Sequence, residues 1–123
     1  MSWNPGGQGY RLDRGVAPSS NKDKKVLFAV IFTDKPGHGE LRATHLQDHI
    51  AWVNAHKDRV LVAGSLRQEP ADTPRGGLWV VEAESRDAVF DLMMSDPFYV
   101  CGLRQDVEVL YWSKALQHHK ALV

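Results

Sequence analysis

Seven consecutive apolar residues, Val26 to Phe32 (VLFAVIF), constrain this chain more than any other feature. The run is too short for an ordinary helix and is rich in β-branched and aromatic side chains. It therefore predicts a strand buried on both faces. Such a strand belongs in the middle of a sheet, with a layer on either side. A second largely apolar run, Leu78 to Ala83 (LWVVEA), predicts a second strand of this kind.

The segments between and around these runs supply the rest of the architecture. Lys35 to Gly39 (KPGHG) is a turn-forming loop. Glu40 to about Asp58 has helical periodicity without Pro or Gly, with Leu46, Ile50 and Val53 on one stripe. Val60 to Ala63 predicts a short strand ended by Gly64-Ser65, and Arg67 to Gly77, with two prolines and two glycines, predicts a loop. Ser85 suits the N-cap of a second helix over Arg86 to Met94, with Ala88, Val89, Leu92 and Met93 turned inward. Asp96-Pro97 ends that helix, because the residue before proline is pushed out of helical geometry. Asp106 to Trp112 predicts the last strand, and residues 113–123 a polar tail.

The order βαββαβ on one antiparallel sheet predicts an α+β fold of the ferredoxin-like kind, with spatial strand order 4-1-3-2. Its central strands, the first and third, are the two apolar runs. Two helices cover only one face of such a sheet, which leaves apolar side chains on the other face exposed to water. A second copy of the same sheet is the simplest cover, so the pattern predicts a homodimer through sheet faces. Residues 1–25 are rich in Gly, Pro, Ser and Asn, with scattered Trp3, Tyr10, Leu12 and Val16. They read as an extended arm, either a flexible tail or one whose aromatics dock on a partner subunit.

Composition excludes several function classes. A chain of 123 residues suffices for one domain, and 15 basic residues cancel 15 acidic ones. No basic excess exists to neutralise phosphates, so nucleic acid is not an expected partner. No apolar run approaches the ~20 residues of a membrane span, and no apolar h-region marks a secretory signal. A single cysteine, Cys101, fits a reducing compartment, so the expected location is cytoplasmic.

Arg42-Ala43-Thr44-His45-Leu46 resembles the R-x-x-H-L signature of the YCII family. Ala63-Gly64, Gly77, Asp96-Pro97-Phe98 and Gly102 follow in that family's order and approximate spacing, so the resemblance spans roughly Val26 to Trp112. It implies a dimeric α+β barrel, with an active-site histidine and aspartate facing one pocket, carried here onto His45 and Asp96. It also implies relatives that act as lyases or isomerases on aromatic-derived small molecules, a dehydrochlorinase among them. The chain departs from the family pattern at Ser65, where many members have proline, and in its N-terminal arm and C-terminal tail.

An imidazole titrates near ~6.5 and exchanges protons at neutral pH. A carboxylate on one ring nitrogen fixes the tautomer and supports proton uptake at the other. His45 and Asp96 read in this way form a general base with its orienting acid; read separately, they are a helix-packing histidine and a turn aspartate. At 100° per residue, His45, His49, Trp52 and His56 fall within about 60° of one another. His49 and Trp52 could line the pocket, or the stripe could be an amphipathic helix edge. Arg42, one turn before His45, could hold an anionic substrate group or pair with Glu40 or Asp48. Gly64, Ser65 and Gly77 complete the candidate pocket, Ser65 also being weighed as a nucleophile although no nucleophile elbow surrounds it. The i, i+4 pair His45/His49 has metal-ligand spacing, but a third ligand (Cys101, Asp96 or His38) is not fixed by the sequence, so no metal is expected.

Taken together, these readings predict an enzyme without a cofactor, doing His/Asp acid-base chemistry of lyase, dehydrochlorinase or isomerase type on a small cyclic or aromatic-derived molecule. The alternative is a non-catalytic small-molecule-binding or accessory dimeric module.

Overall fold

The computed structural model describes residues 24–123, so the arm expected over residues 1–25 lies almost wholly outside the described residues. The elements run β1 (Val26–Asp34), α1 (Gly39–Ala55), β2 (Val60–Leu66), β3 (Gly76–Ala83), α2 (Arg86–Met93), α3 (Pro97–Val100) and β4 (Arg104–Tyr111). The four strands form one sheet in the order β2-β3-β1-β4, with every neighbouring pair antiparallel. This is the order 4-1-3-2 counted from the opposite edge. The fold is α+β and ferredoxin-like.

Strand pleating divides β1 into two faces. Phe28, Val30, Phe32 and Asp34 are buried on the helix-covered side, while Leu27, Ala29 and Ile31 alternate onto the other. Trp79, Val81 and Ala83 of β3 join the same core, with Val89, Leu92 and Met93 of α2 above them. Ser85 caps α2 as expected, its side chain accepting a hydrogen bond from the Ala88 N–H at 3.1 Å.

Helix α1 is rotated from the expected orientation. Ile50 is exposed, and Trp52 is the buried residue of the helix. The stripe of His and Trp faces the sheet with Val53 beside it, and Ile50 of the aliphatic stripe turns outward. The cause is polar pairing: the Trp52 indole N–H donates to Ser95 Oγ at 2.9 Å, and its ring stacks on Trp79 at 5.2 Å. Burying that indole removes more apolar area from water than an isoleucine would, while its N–H keeps a partner.

Asp96 starts a helix as well as following one. Its carboxylate accepts from the Phe98 N–H at 3.2 Å, and Pro97 takes the first position of α3, where a missing N–H costs nothing. Gly102, at φ +83°, then turns the chain into β4. That strand starts at Arg104, two residues before the expected Asp106.

The sheet face away from the helices remains apolar. Leu27, Val62 and Val80 are half-buried there, Leu61 is exposed, and the C-terminal segment from Trp112 to Val123 bounds with them a cavity of about 830 Å³.

Candidate functional site

The sheet end of β1, the middle of α1, the start of α3 and the start of β4 meet in a buried polar cluster. Its outer end is Arg42, whose Nε and Nη2 donate to Asp34 Oδ2 at 3.2 and 2.8 Å. Asp34 Oδ1 accepts from Arg104 Nη1 at 2.8 Å. Arg104 Nη2 stands 3.8 Å from Asp96 Oδ2, and Asp96 Oδ1 lies 2.7 Å from His49 Nδ1. Five ionisable side chains thus run in sequence from the mouth of the α1 loop to the middle of the helix.

Aromatic rings hold this chain in place. The His49 ring stacks on Phe98 at 4.1 Å with 15° between planes. The Arg104 guanidinium lies over Phe32 at 4.1 Å and over Phe98 at 5.0 Å, and Arg42 lies over Phe98 at 4.9 Å. Flat cations on ring faces gain from the ring quadrupole, and gain most when desolvated. The Asp96 side chain is fully buried, and those of Arg104 and Asp34 nearly so, at 4% and 5% exposure. Burial draws the Arg104 guanidinium below its ordinary pKa; the Asp34 hydrogen bond and the Asp34 and Asp96 charges oppose that pull.

Two polar atoms in the cluster, Asp96 Oδ2 and Arg104 Nε, are buried without a hydrogen-bond partner among the described residues. An isolated buried carboxylate is costly, and Asp96 keeps its place through the His49 and Phe98 contacts and the nearby guanidinium. With Nδ1 directed at Asp96, the His49 ring has one nitrogen left, Nε2, which has no partner among the described residues, on a side chain 13% exposed. A second cavity, of about 750 Å³, opens beside Arg42 and Asp34 between the Lys35–Glu40 loop and Thr73–Arg75. Neither of the two cavities is lined by His49 or Asp96.

The sequence profile of the YCII-related domain matches residues 26–113, from the first residue of β1 past the end of β4. The chain belongs to the YCII family. Among solved structures, this YCII domain resembles 5-chloro-2-hydroxyhydroquinone dehydrochlorinase from Burkholderia phenoliruptrix, determined in complex with 2,5-dihydroxybenzoquinone. The two share 28% identity at a TM-score of 0.65, over 71% of this chain and 93% of that one. A candidate antibiotic biosynthesis monooxygenase from Bacteroides thetaiotaomicron shares the fold at 12% identity and a TM-score of 0.52, covering 82% of this chain and 99% of that one. No curated protein matches the chain.

In this YCII domain the histidine on Asp96 is His49, and no hydrogen bond joins Asp96 to the expected His45. The two histidines are about one turn apart, about 6 Å along the axis. Helix α3 packs on α1 at the level of His49, where Phe98 takes the ring face and Asp96 its edge. His45 is half-buried one turn nearer the N-terminus. Arg42 pairs with Asp34 rather than with Glu40 or Asp48, because β1 brings Asp34 under the helix. Trp52 is core, and His56 closes α1, with Nδ1 2.7 Å from the Trp52 carbonyl oxygen.

Gly77 borders the cluster: a methyl there would stand 3.9 Å from Arg104 Nη1 and 2.9 Å from Gly64 O. Its smallness serves strand packing. Gly64 and Ser65 are exposed on the edge strand, where Ser65 Oγ accepts from Arg67 and makes no bond to any histidine. Among the described residues no group of three or more His, Cys, Asp and Glu side chains could hold a metal, and no helix is long and apolar enough to cross a membrane. Sequence reasoning missed Asp34, Arg104 and Ser95, and held Phe98 only as part of the Asp96-Pro97-Phe98 motif, with no role at the site. For Asp34 a signal existed: it continues the every-second-residue series Phe28, Val30, Phe32 on the buried side.

Proposed function

We propose that this protein is a homodimeric enzyme in which neutral His49, oriented by Asp96, takes a proton from a small oxygenated ring. The result is elimination or isomerisation without a cofactor. The observation that carries this reading is the 2.7 Å contact from His49 Nδ1 to a fully buried carboxylate, with Nε2 unpartnered among the described residues. A carboxylate so placed fixes the Nδ1–H tautomer and favours the imidazolium formed as Nε2 accepts a proton.

Loss of HCl from a chlorinated hydroxyhydroquinone suits this arrangement. His49 takes a hydroxyl proton and returns it to the chlorine-bearing ring carbon as the ring ketonises. It then takes a second hydroxyl proton, the electron pair flows through the ring, and chloride leaves with the bonding pair, a net loss of HCl. Arg42 Nη1, which has no partner among the described residues, can meet a ring oxygen as negative charge develops there. His45 then lines the approach to Nε2. The likeness to a dehydrochlorinase supports this substrate class. The apolar reverse of the sheet supports the second subunit, which also supplies cover for Leu61, Val62 and Val80.

The test is chloride release from chlorinated hydroxyhydroquinones by the wild type, His49→Gln and His45→Gln. The reading expects His49→Gln to lose about 10²–10⁴ in kcat and His45→Gln to stay within about tenfold. Equal turnover by wild type and His49→Gln contradicts it. Tight ligand binding with no turnover by the wild type would instead favour a binding module.

A further inference from the structure

The buried cluster has a charge count that bears on His49. Arg42 and Arg104 contribute two positive charges, and Asp34 and Asp96 two negative ones, all linked by contacts of 2.7–3.8 Å. The sum is zero only when the imidazole is uncharged. In a region where Arg104, Asp34 and Asp96 are almost wholly sealed from water, an unbalanced charge is expensive.

We propose that Arg42, Asp34, Arg104 and Asp96 form a charge-balanced clamp that keeps His49 neutral with Nε2 free, making Asp34 and Arg104 positioning residues for the dyad. This rests on the reading of His49 as the base and deepens it.

Each member has a distinct place. Asp34 spans the two guanidiniums, one carboxylate oxygen on each. Arg104 stands between the carboxylates, bonding Asp34 and facing Asp96 Oδ2. Without Asp34, Arg42 and Arg104 would lie unshielded beside the dyad. Without Arg104, Asp96 would hold its charge against His49 alone. The groups facing the His49 ring are Asp96 from the start of α3, Arg104 from β4 with Asp34 of β1 behind it, and Arg42 and His45 from its own helix. The sheet beneath offers Trp79, an uncharged ring 6.4 Å away.

Removing a positive charge and removing a negative one should therefore act in opposite directions on the same proton. In Arg104→Gln the cluster carries net −1, and protonation of His49 restores balance; its titration midpoint rises. In Asp34→Asn the cluster carries net +1, and protonation adds to the excess; the midpoint falls. Arg104→Lys preserves the charge and changes little. A packing defect has no reason to produce this sign pattern.

The experiment follows the His49 ring by NMR from pH 5 to 9 in the full-length protein, its signals assigned by their loss in His49→Gln. The expected result is an upward shift of about one unit in Arg104→Gln, a downward shift of similar size in Asp34→Asn, and less than a third of that in Arg104→Lys. Shifts of the same sign, no shift in either charge variant, or an Arg104→Lys shift as large as that of Arg104→Gln would overturn the clamp. If Arg104→Gln does not fold, Asp34→Asn decides alone: a fall supports the clamp, and no fall overturns it. The titration needs no substrate, so the two ideas fail separately. Opposite shifts with full turnover by His49→Gln would leave the clamp standing and remove the catalytic reading. An inactive His49→Gln with no opposite shifts would do the reverse.

Discussion

Gly76→Ala should be the most damaging change among the described glycines, and the structure gives its size. Gly76 begins β3 opposite Thr33 on the central strand. A Cβ built there would stand 1.8 Å from the Phe32 carbonyl oxygen, 2.8 Å from its carbon and 3.2 Å from Thr33 Cα. All three atoms are backbone, so no side chain can swing aside. The strands must part by more than an ångström, where overpacking alone costs about 1–3 kcal/mol. Losing one or two ladder hydrogen bonds at that end adds about 1 kcal/mol each. The sum, about 2–5 kcal/mol, is a large share of the 5–15 kcal/mol typical of a whole domain.

Two nearby glycines serve as internal controls. At Gly77 the nearest obstacle is Gly64 O at 2.9 Å, so Ala should cost about 1–2 kcal/mol; at Gly64 nothing lies within 4 Å, and Ala should be neutral to slightly stabilising. Urea denaturation of the three variants, compared through midpoints at matched m-values, gives the ranking. Gly76→Ala within 0.5 kcal/mol of wild type, or Gly64→Ala costing as much as Gly76→Ala, would refute the steric reasoning (both limits set on the order of measurement error). The same parting of strands would disturb the site, because Arg42 Nη2 also reaches Gly76 O at 3.4 Å and Asp34 follows Thr33.

Other outcomes follow from single contacts. Asp96→Asn keeps an acceptor for His49 and Phe98 but puts an amide N–H₂ toward Arg104, so turnover should fall about 10²–10⁴ with the fold retained; unchanged turnover, with far-UV circular dichroism confirming the fold, would argue against the dyad. Ser85→Ala removes the cap on Ala88 N–H and should lower unfolding free energy by about 1 kcal/mol, measured by the same urea series. Val80→Lys places a charge on the apolar sheet face and should yield monomers in sedimentation velocity at micromolar concentration, where the wild type should sediment as a dimer; identical profiles would count against sheet-to-sheet pairing.

The fold was legible because its decisive signals are local. VLFAVIF and LWVVEA mark central strands by themselves, and Ser85 and Asp96-Pro97 punctuate the helices wherever the chain goes. The site was only half legible. Arg42, His49 and Asp96 stood out by residue type, yet which histidine meets Asp96 depends on the height at which α3 docks on α1. One turn of helix changes that answer, and periodicity does not record it. The aliphatic stripe of α1 pointed inward on hydropathy, but Trp52 and His49 won the inner face through partners contributed by Ser95 and Asp96, more than forty residues away. Arg104 had no sequence signal at all: its meeting with Asp34 is a cross-strand register between β1 and β4.

The claim on which the rest depends is that His49 stands neutral, its Nδ1–H donating a hydrogen bond to Asp96 and its Nε2 lone pair open to a substrate proton. Long-range ¹H–¹⁵N correlation of uniformly labelled protein at neutral pH reads both nitrogens directly. The expected spectrum shows a protonated Nδ1 and an unprotonated Nε2 for His49, with the Nδ1 proton moved downfield by its short bond to the carboxylate. A His49 protonated on Nε2 with Nδ1 bare, or charged on both nitrogens, would contradict the account.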